Sequence, residues 1–214
     1  MSMPLLLNDM DIDLGDVVLH GDLHVPEGAR GLVLFAHGSG SSRKSVRNRM
    51  VAGVLEAAGI GAFLFDLLTR QEDEVDDLRF DITLLSTRLK RVTDLVHADV
   101  GLRHLSIGLF GASTGAASAL NAAAAMPDVV KAVVSRGGRP DLALDACSRV
   151  QAPTLLIVGG LDGPVIDMNR EALDRLGCVK ELVIVPGATH LFEEPGKLEE
   201  VARLATAWFG RHLH

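Results

Sequence analysis

The stretch IGLFGASTGAAS, Ile107 to Ser118, decides how the chain is read. An apolar run ends at Gly111, a serine stands between Gly111 and Gly115, and an alanine-rich run follows. Gly111-Ala112-Ser113-Thr114-Gly115 fits G-x-S-x-G, in which a sharp strand-to-helix turn pushes a serine oxygen clear of a sheet. The two glycines permit that turn because a Cβ there would collide with the neighbouring strand or helix. Ser113 is therefore a candidate nucleophile.

Working outward, the chain alternates short apolar runs with helical patterns. Strands are expected at Leu32–His37, Gly61–Asp66, Leu105–Gly111, Lys131–Gly138, Pro153–Gly160 and Lys180–Gly187, mostly bounded by glycine or proline, as for strands buried on both faces. Helices are expected at Ser45–Gly59, Phe80–Asp99, Thr114–Asp128, Pro164–Gly177 and Pro195–Leu213. Asp16–Pro26 reads as a strand pair with Gly21 near its turn, and QEDEVDD (Gln71–Asp77) as a solvated acidic loop. Alternation of this kind implies an α/β fold: one domain over residues 1–214, a mostly parallel sheet and helices on both faces. Loops at strand carboxyl ends then gather the chemistry.

Bulk properties narrow the partners. The formal net charge of −7 argues against nucleic acid or an anionic membrane as partner. The beginning of the chain, MSMPLLLNDMDIDLG, has neither a basic region nor a long enough apolar run for a secretory signal. With two isolated cysteines, Cys147 and Cys178, reduced thiols in a cytoplasmic protein are expected. No cofactor and no metal are implied, since no histidine pair has metal-ligand spacing. A monomer or small homo-oligomer acting on a small-molecule ester is the expectation.

Two further readings of glycine-rich turns fail on residue identity. GSGSSRKS (Gly38–Ser45) approaches the P-loop pattern, but Arg43 stands where its second glycine belongs. A short-chain dehydrogenase needs a catalytic tyrosine, and the chain has none. The bland alternative, a non-catalytic α/β binding module in which Ser113 is only a small packing residue, stays open.

A serine hydroxyl needs a base that is itself oriented by a carboxylate. Asp162 follows one strand 49 residues after Ser113, and His190 follows the next strand after a further 28. Asp66 and Asp167 are rival acids; Asp66 also ends a strand, but one that precedes the nucleophile. Of the other histidines, His20 and His24 read as solvated or structural and His97 and His104 as flanking a helix end. His212 and His214 read as a fraying tail.

At this point the chain resembles the α/β-hydrolase superfamily and, within it, small dienelactone-hydrolase-like enzymes. The resemblance rests on LVLFAHGSGSSR, FGASTGAA, VSRGGRPDL, LLIVGG and VPGATHLFEEPG. It implies a single-domain α/β-hydrolase fold, with Ser113 as nucleophile, Asp162 as acid and His190 as base. The backbone N–H groups of Thr114 and Ser39 would form the oxyanion hole. His37, beside that loop, is expected to hold it by hydrogen bonds, and with Gly38 it is also a candidate to line the substrate. The founding enzymes use a cysteine nucleophile, so cleavage of dienelactone itself is not implied. The short join from Gly138 to Pro153 leaves no room for a cap domain and implies an open, shallow site. The expected reaction is cleavage of small carboxylic esters or lactones through an acyl-enzyme, with acyl transfer or thioester cleavage as alternatives. Arg43, Arg47, Arg49, Arg136 and Arg139 all lie near strand carboxyl ends; Arg43 and Arg136 are the candidates to receive an anionic substrate group, and ordinary salt bridges are the competing reading.

Overall fold

The computed structural model describes residues 4–214. Eight strands form one sheet: β1 (Leu5–Asp13), β2 (Val18–Val25), β3 (Gly31–Ala36), β4 (Gly61–Phe65), β5 (Ser106–Ala112), β6 (Val130–Arg136), β7 (Thr154–Gly159) and β8 (Lys180–Val185). Their order is β1-β2-β4-β3-β5-β6-β7-β8. β1 and β2 are antiparallel to each other, β2 is antiparallel to β4, and all remaining neighbours are parallel. Eight α-helices complete the chain: α1 (Val46–Ala57), α2 (Arg70–Asp73), α3 (Asp76–Arg79), α4 (Ile82–Ala98), α5 (Thr114–Ala125), α6 (Leu144–Cys147), α7 (Gly163–Arg175) and α8 (Lys197–His212).

The strand residues alternate between two cores because successive side chains leave a strand on opposite faces. Leu32, Leu34 and Ala36 of β3 pack with α4, α5 and α7, whereas Val33 and Phe35 pack with α1 and α8. Both faces are therefore covered, as a parallel sheet requires. Chain order runs outward in both directions from β3, which has β4 on one side and β5 on the other. The crevice at such a reversal is where this architecture binds its ligands, and Ser113 stands at the end of β5.

Four expectations are corrected. β1, which was not anticipated, pairs with β2 along its length, and their turn lies at Leu14–Val17 with Gly15 at φ 87°. Gly21 is thus not in a turn but inside β2, because a Cβ there would fall 2.6 Å from Phe63 and 2.9 Å from Ile12. The acidic run at 71–77 is not a plain loop: it spans α2 and α3, with Thr69 and Glu72 forming a capping box and Glu72 pairing with the buried Arg88. Likewise His212 does not fray. It ends α8, with its ring 4.8 Å from that of Trp208. The first three residues of the N-terminal stretch read above lie outside the described residues.

Candidate active site

The turn after β5 is built by its glycines. A Cβ on Gly111 would sit 2.4 Å from Ala116 Cα, and one on Gly115 would sit 2.2 Å from the carbonyl oxygen of Ala36. Side chains at either position would drive α5 away from the sheet. Ser113 itself takes φ 52° and ψ −121°, a conformation that non-glycine residues rarely adopt. Such strain persists only where its surroundings enforce it. Here β6 grips the turn: the Ser113 N–H donates to the Arg136 carbonyl at 3.2 Å, and the Arg139 N–H donates to the Ser113 carbonyl at 3.0 Å.

Two other strand ends meet this turn. His190 Nε2 lies 3.3 Å from Ser113 Oγ, and His190 Nδ1 lies 2.6 Å from Asp162 Oδ2. Asp162 occupies the N-cap position of α7, yet its side chain makes no capping bond and turns instead to the imidazole. The loop bearing His190 is seated by close approaches. A Cβ on Gly159 would fall 2.5 Å from the carbonyl oxygens of Ala188 and Thr189, and the ring of Phe192 is fully buried. Glu194 accepts the Thr189 N–H at 3.1 Å, and hydrogen bonding to Thr189 holds its carboxyl below the usual carboxylate range. Asp66, the rival acid, is spent on Arg43.

The loop after β3 supplies the opposite wall. A Cβ on Gly38 would lie 3.1 Å from Ser113 Cβ, a tight approach that any side chain there would widen by a few tenths of an ångström. The Ser39 N–H donates to Thr114 Oγ1 at 2.8 Å and is therefore engaged in the resting structure. The Thr114 N–H occupies the first position of α5, where no intrahelical acceptor exists. The His37 ring does not line the cleft at Ser113. It is buried behind the loop, with Nδ1–H donating to the Gly38 carbonyl at 2.9 Å and Nε2 accepting the Leu67 N–H at 3.0 Å. That pair of bonds fixes a neutral tautomer, and burial pushes the imidazole below its ordinary value.

The cleft at Ser113 has a volume of about 260 Å³ and is lined by Gly38, Ser39, Arg47, Asn48, Arg136 and His190 among others. It is open: between β6 and β7 there are only a 3₁₀ turn at Pro140–Ala143 and α6. The His190 side chain keeps 36% of its surface exposed. The two candidate arginines part company. Arg136 lines the cleft, whereas Arg43 is committed to Asp9, Asp22 and Asp66 and lies outside it. Asn48 carried no sequence signal, and Arg47 stood out only as one of several arginines near strand ends. Both reach the cleft because Ser45 caps α1 and aims its first turn at Ser113.

Among the described residues, no three of His, Cys, Asp or Glu gather as a metal-binding group, and no helix is long and apolar enough to cross a membrane. Cys147 and Cys178 are both free thiols.

Residues 20–211 match the dienelactone hydrolase family. A dienelactone hydrolase from Anabaena variabilis superposes with a TM-score of 0.95 and 55% identity, each chain covered in full. Est1E from Butyrivibrio proteoclasticus superposes with a TM-score of 0.82 over 96% of this chain and 98% of its own, at 17% identity, a likeness of fold alone. Two curated proteins of Mycobacterium tuberculosis, from strains CDC 1551 and H37Rv, are 53% identical over 98% of this chain and carry the provisional name phosphoribosyl transferase. This chain spans 47% of their length.

Proposed function

The chain belongs to the dienelactone hydrolase family, and on that premise we propose that it is a serine hydrolase cleaving small carboxylic esters or lactones through an acyl-enzyme. The observation carrying this reading is the pair of contacts made by His190, 3.3 Å to Ser113 Oγ and 2.6 Å to Asp162. With Nδ1–H donated to Asp162, Nε2 carries the lone pair that takes the Ser113 proton. The serine oxygen then attacks the substrate carbonyl. Negative charge developing on the carbonyl oxygen meets the Thr114 N–H, with the Ser39 N–H joining once it releases Thr114 Oγ1. Each such donor is worth roughly 3–4 kcal/mol in the transition state. The imidazolium protonates the leaving alkoxide, and the same nitrogen then activates water to release the acid. For a lactone the alcohol remains part of the acyl group, and water releases both together as one hydroxy acid.

The transferase name of the longer relatives describes proteins of which this chain spans less than half, whereas the relay at Ser113 supports acyl chemistry. The test is hydrolysis of 4-nitrophenyl acetate together with labelling by a fluorophosphonate probe. Turnover and labelling that vanish in Ser113→Ala are expected. A well-folded protein that takes no label would reject the proposal in favour of a non-catalytic binding module.

A further inference from the structure

Arg136 is the last residue of β6, in register with Ala112, and its carbonyl holds the Ser113 N–H. Its side chain therefore starts beside the nucleophile and lines the same cleft, with only 4% of the residue exposed. Among the described residues the side chain makes one hydrogen bond, from Nη2 to Asn48 Oδ1 at 3.2 Å, and its Nε is buried without a partner. Among the described residues it makes no ion pair, although the chain carries 28 carboxylates. The other buried arginines are paired, Arg43 with three carboxylates and Arg88 with Glu72. Arg47 stands close enough to repel Arg136, has its own Nε buried and unpartnered, and is balanced by Glu193 at 2.9 Å.

Taking a charge out of water without a counter-ion costs several kcal/mol. Desolvation, reinforced by Arg47, pushes Arg136 down to about 10, which still leaves it cationic at neutral pH. A packing role would be served better by a neutral side chain of similar size.

Resting on the hydrolase reading, we propose that Arg136, backed by Arg47 and Asn48, is an anion subsite, so that the preferred substrates carry a carboxylate or phosphate-type group close to the ester bond that breaks. The guanidinium matches such oxyanions because two parallel N–H groups meet two oxygens. The subsite contributes no bond making or breaking. It fixes which acyl group is presented to Ser113.

The experiment compares mono-4-nitrophenyl glutarate with its methyl-capped diester, and adds a 4-nitrophenyl ester carrying a phosphonate in place of the carboxylate. The wild-type protein is expected to favour an anionic ester over the neutral one by roughly tenfold or more in kcat/KM. Whichever anionic ester leads identifies the oxyanion. Arg136→Met and Arg136→Gln are expected to collapse that ratio toward one, chiefly through KM, while Arg136→Lys keeps part of it. No charge preference in the wild type, or a preference untouched in the neutral variants, overturns the subsite. Calorimetric binding of glutarate and phosphate to Ser113→Ala separates the two proposals. Arg136-dependent binding without any ester turnover would leave the subsite and remove the hydrolase, and turnover with neither charge preference nor binding would do the reverse.

Discussion

Arg43 and Arg136 sit at two strand-end corners of one molecule, are almost equally buried at 7% and 4% exposure, and yet are opposite in character. At the first corner Asp9, at φ 54° in the bulge of β1, joins Asp22 and Asp66 around one guanidinium. Arg43 Nη1 lies 2.5 Å from Asp66, and Asp66 also accepts the Arg43 backbone N–H at 2.8 Å. That corner ties the antiparallel edge of the sheet to the loop after β3. At the second corner the described residues supply no carboxylate, and the cation faces the cleft at Ser113. Burial is common to both, so burial does not separate a structural arginine from a functional one. Compensation is what differs, and the proposed anion subsite rests on that difference.

The largest test of this division lies at the serine between the corners. Ser113→Ala is expected to lower kcat by on the order of 10⁴-fold or more while leaving the melting temperature nearly unchanged. A comparable loss of stability would mean that the cleft is structural after all. Next comes Arg43→Met, which strands Asp22 and Asp66 and should cost about 3–5 kcal/mol in denaturant unfolding. A smaller loss, under about 1 kcal/mol, would put the two corners on the same footing. Arg136→Met should go the other way, with unfolding free energy unchanged or higher by about 1 kcal/mol, because it removes an uncompensated charge. A large destabilisation there would break the contrast.

The smallest expected effect concerns His37, which links the corners by holding the loop between them. Its folded value is lowered, so the unfolded chain takes up its proton first as the pH falls. Stability contributed by neutral His37 is thus complete above its ordinary value near 6.5 and drains away as the pH drops from there toward the folded value. Melting curves from pH 8 to 5 should show a shallower decline in His37→Gln than in the wild type. Parallel declines would locate the sensitivity elsewhere, for example at His212, which burial lowers in the same direction.

The core strands and long helices were readable because each carries its own periodicity. β1 was not, since LLLNDMDID lies at the sheet edge with seven of its nine residues exposed, and its extended form comes from pairing with β2 rather than from an apolar pattern. Gly21 misled for a related reason. Its smallness answers to Phe63 and Ile12 across the sheet, not to the local chain direction. Within the site, Ser113, Asp162 and His190 could be named in advance from motif and chain order, and the structure brings the three side chains together. Asn48 could not be named, and Arg47 only as one of several arginines near strand ends, because nothing in VRNRM marks a side chain that will face a cleft made by β5 and β6.

By itself, then, the sequence determined the strand-to-helix turn that exposes Ser113, because the sterics of Gly111 and Gly115 act over a few bonds and need only the strand and helix the chain already encodes. Which arginine became a staple and which remained a bare cation was decided by the tertiary structure alone. Electrostatic compensation depends on carboxylates brought from elsewhere in the chain, and only the folded sheet determines whether they arrive.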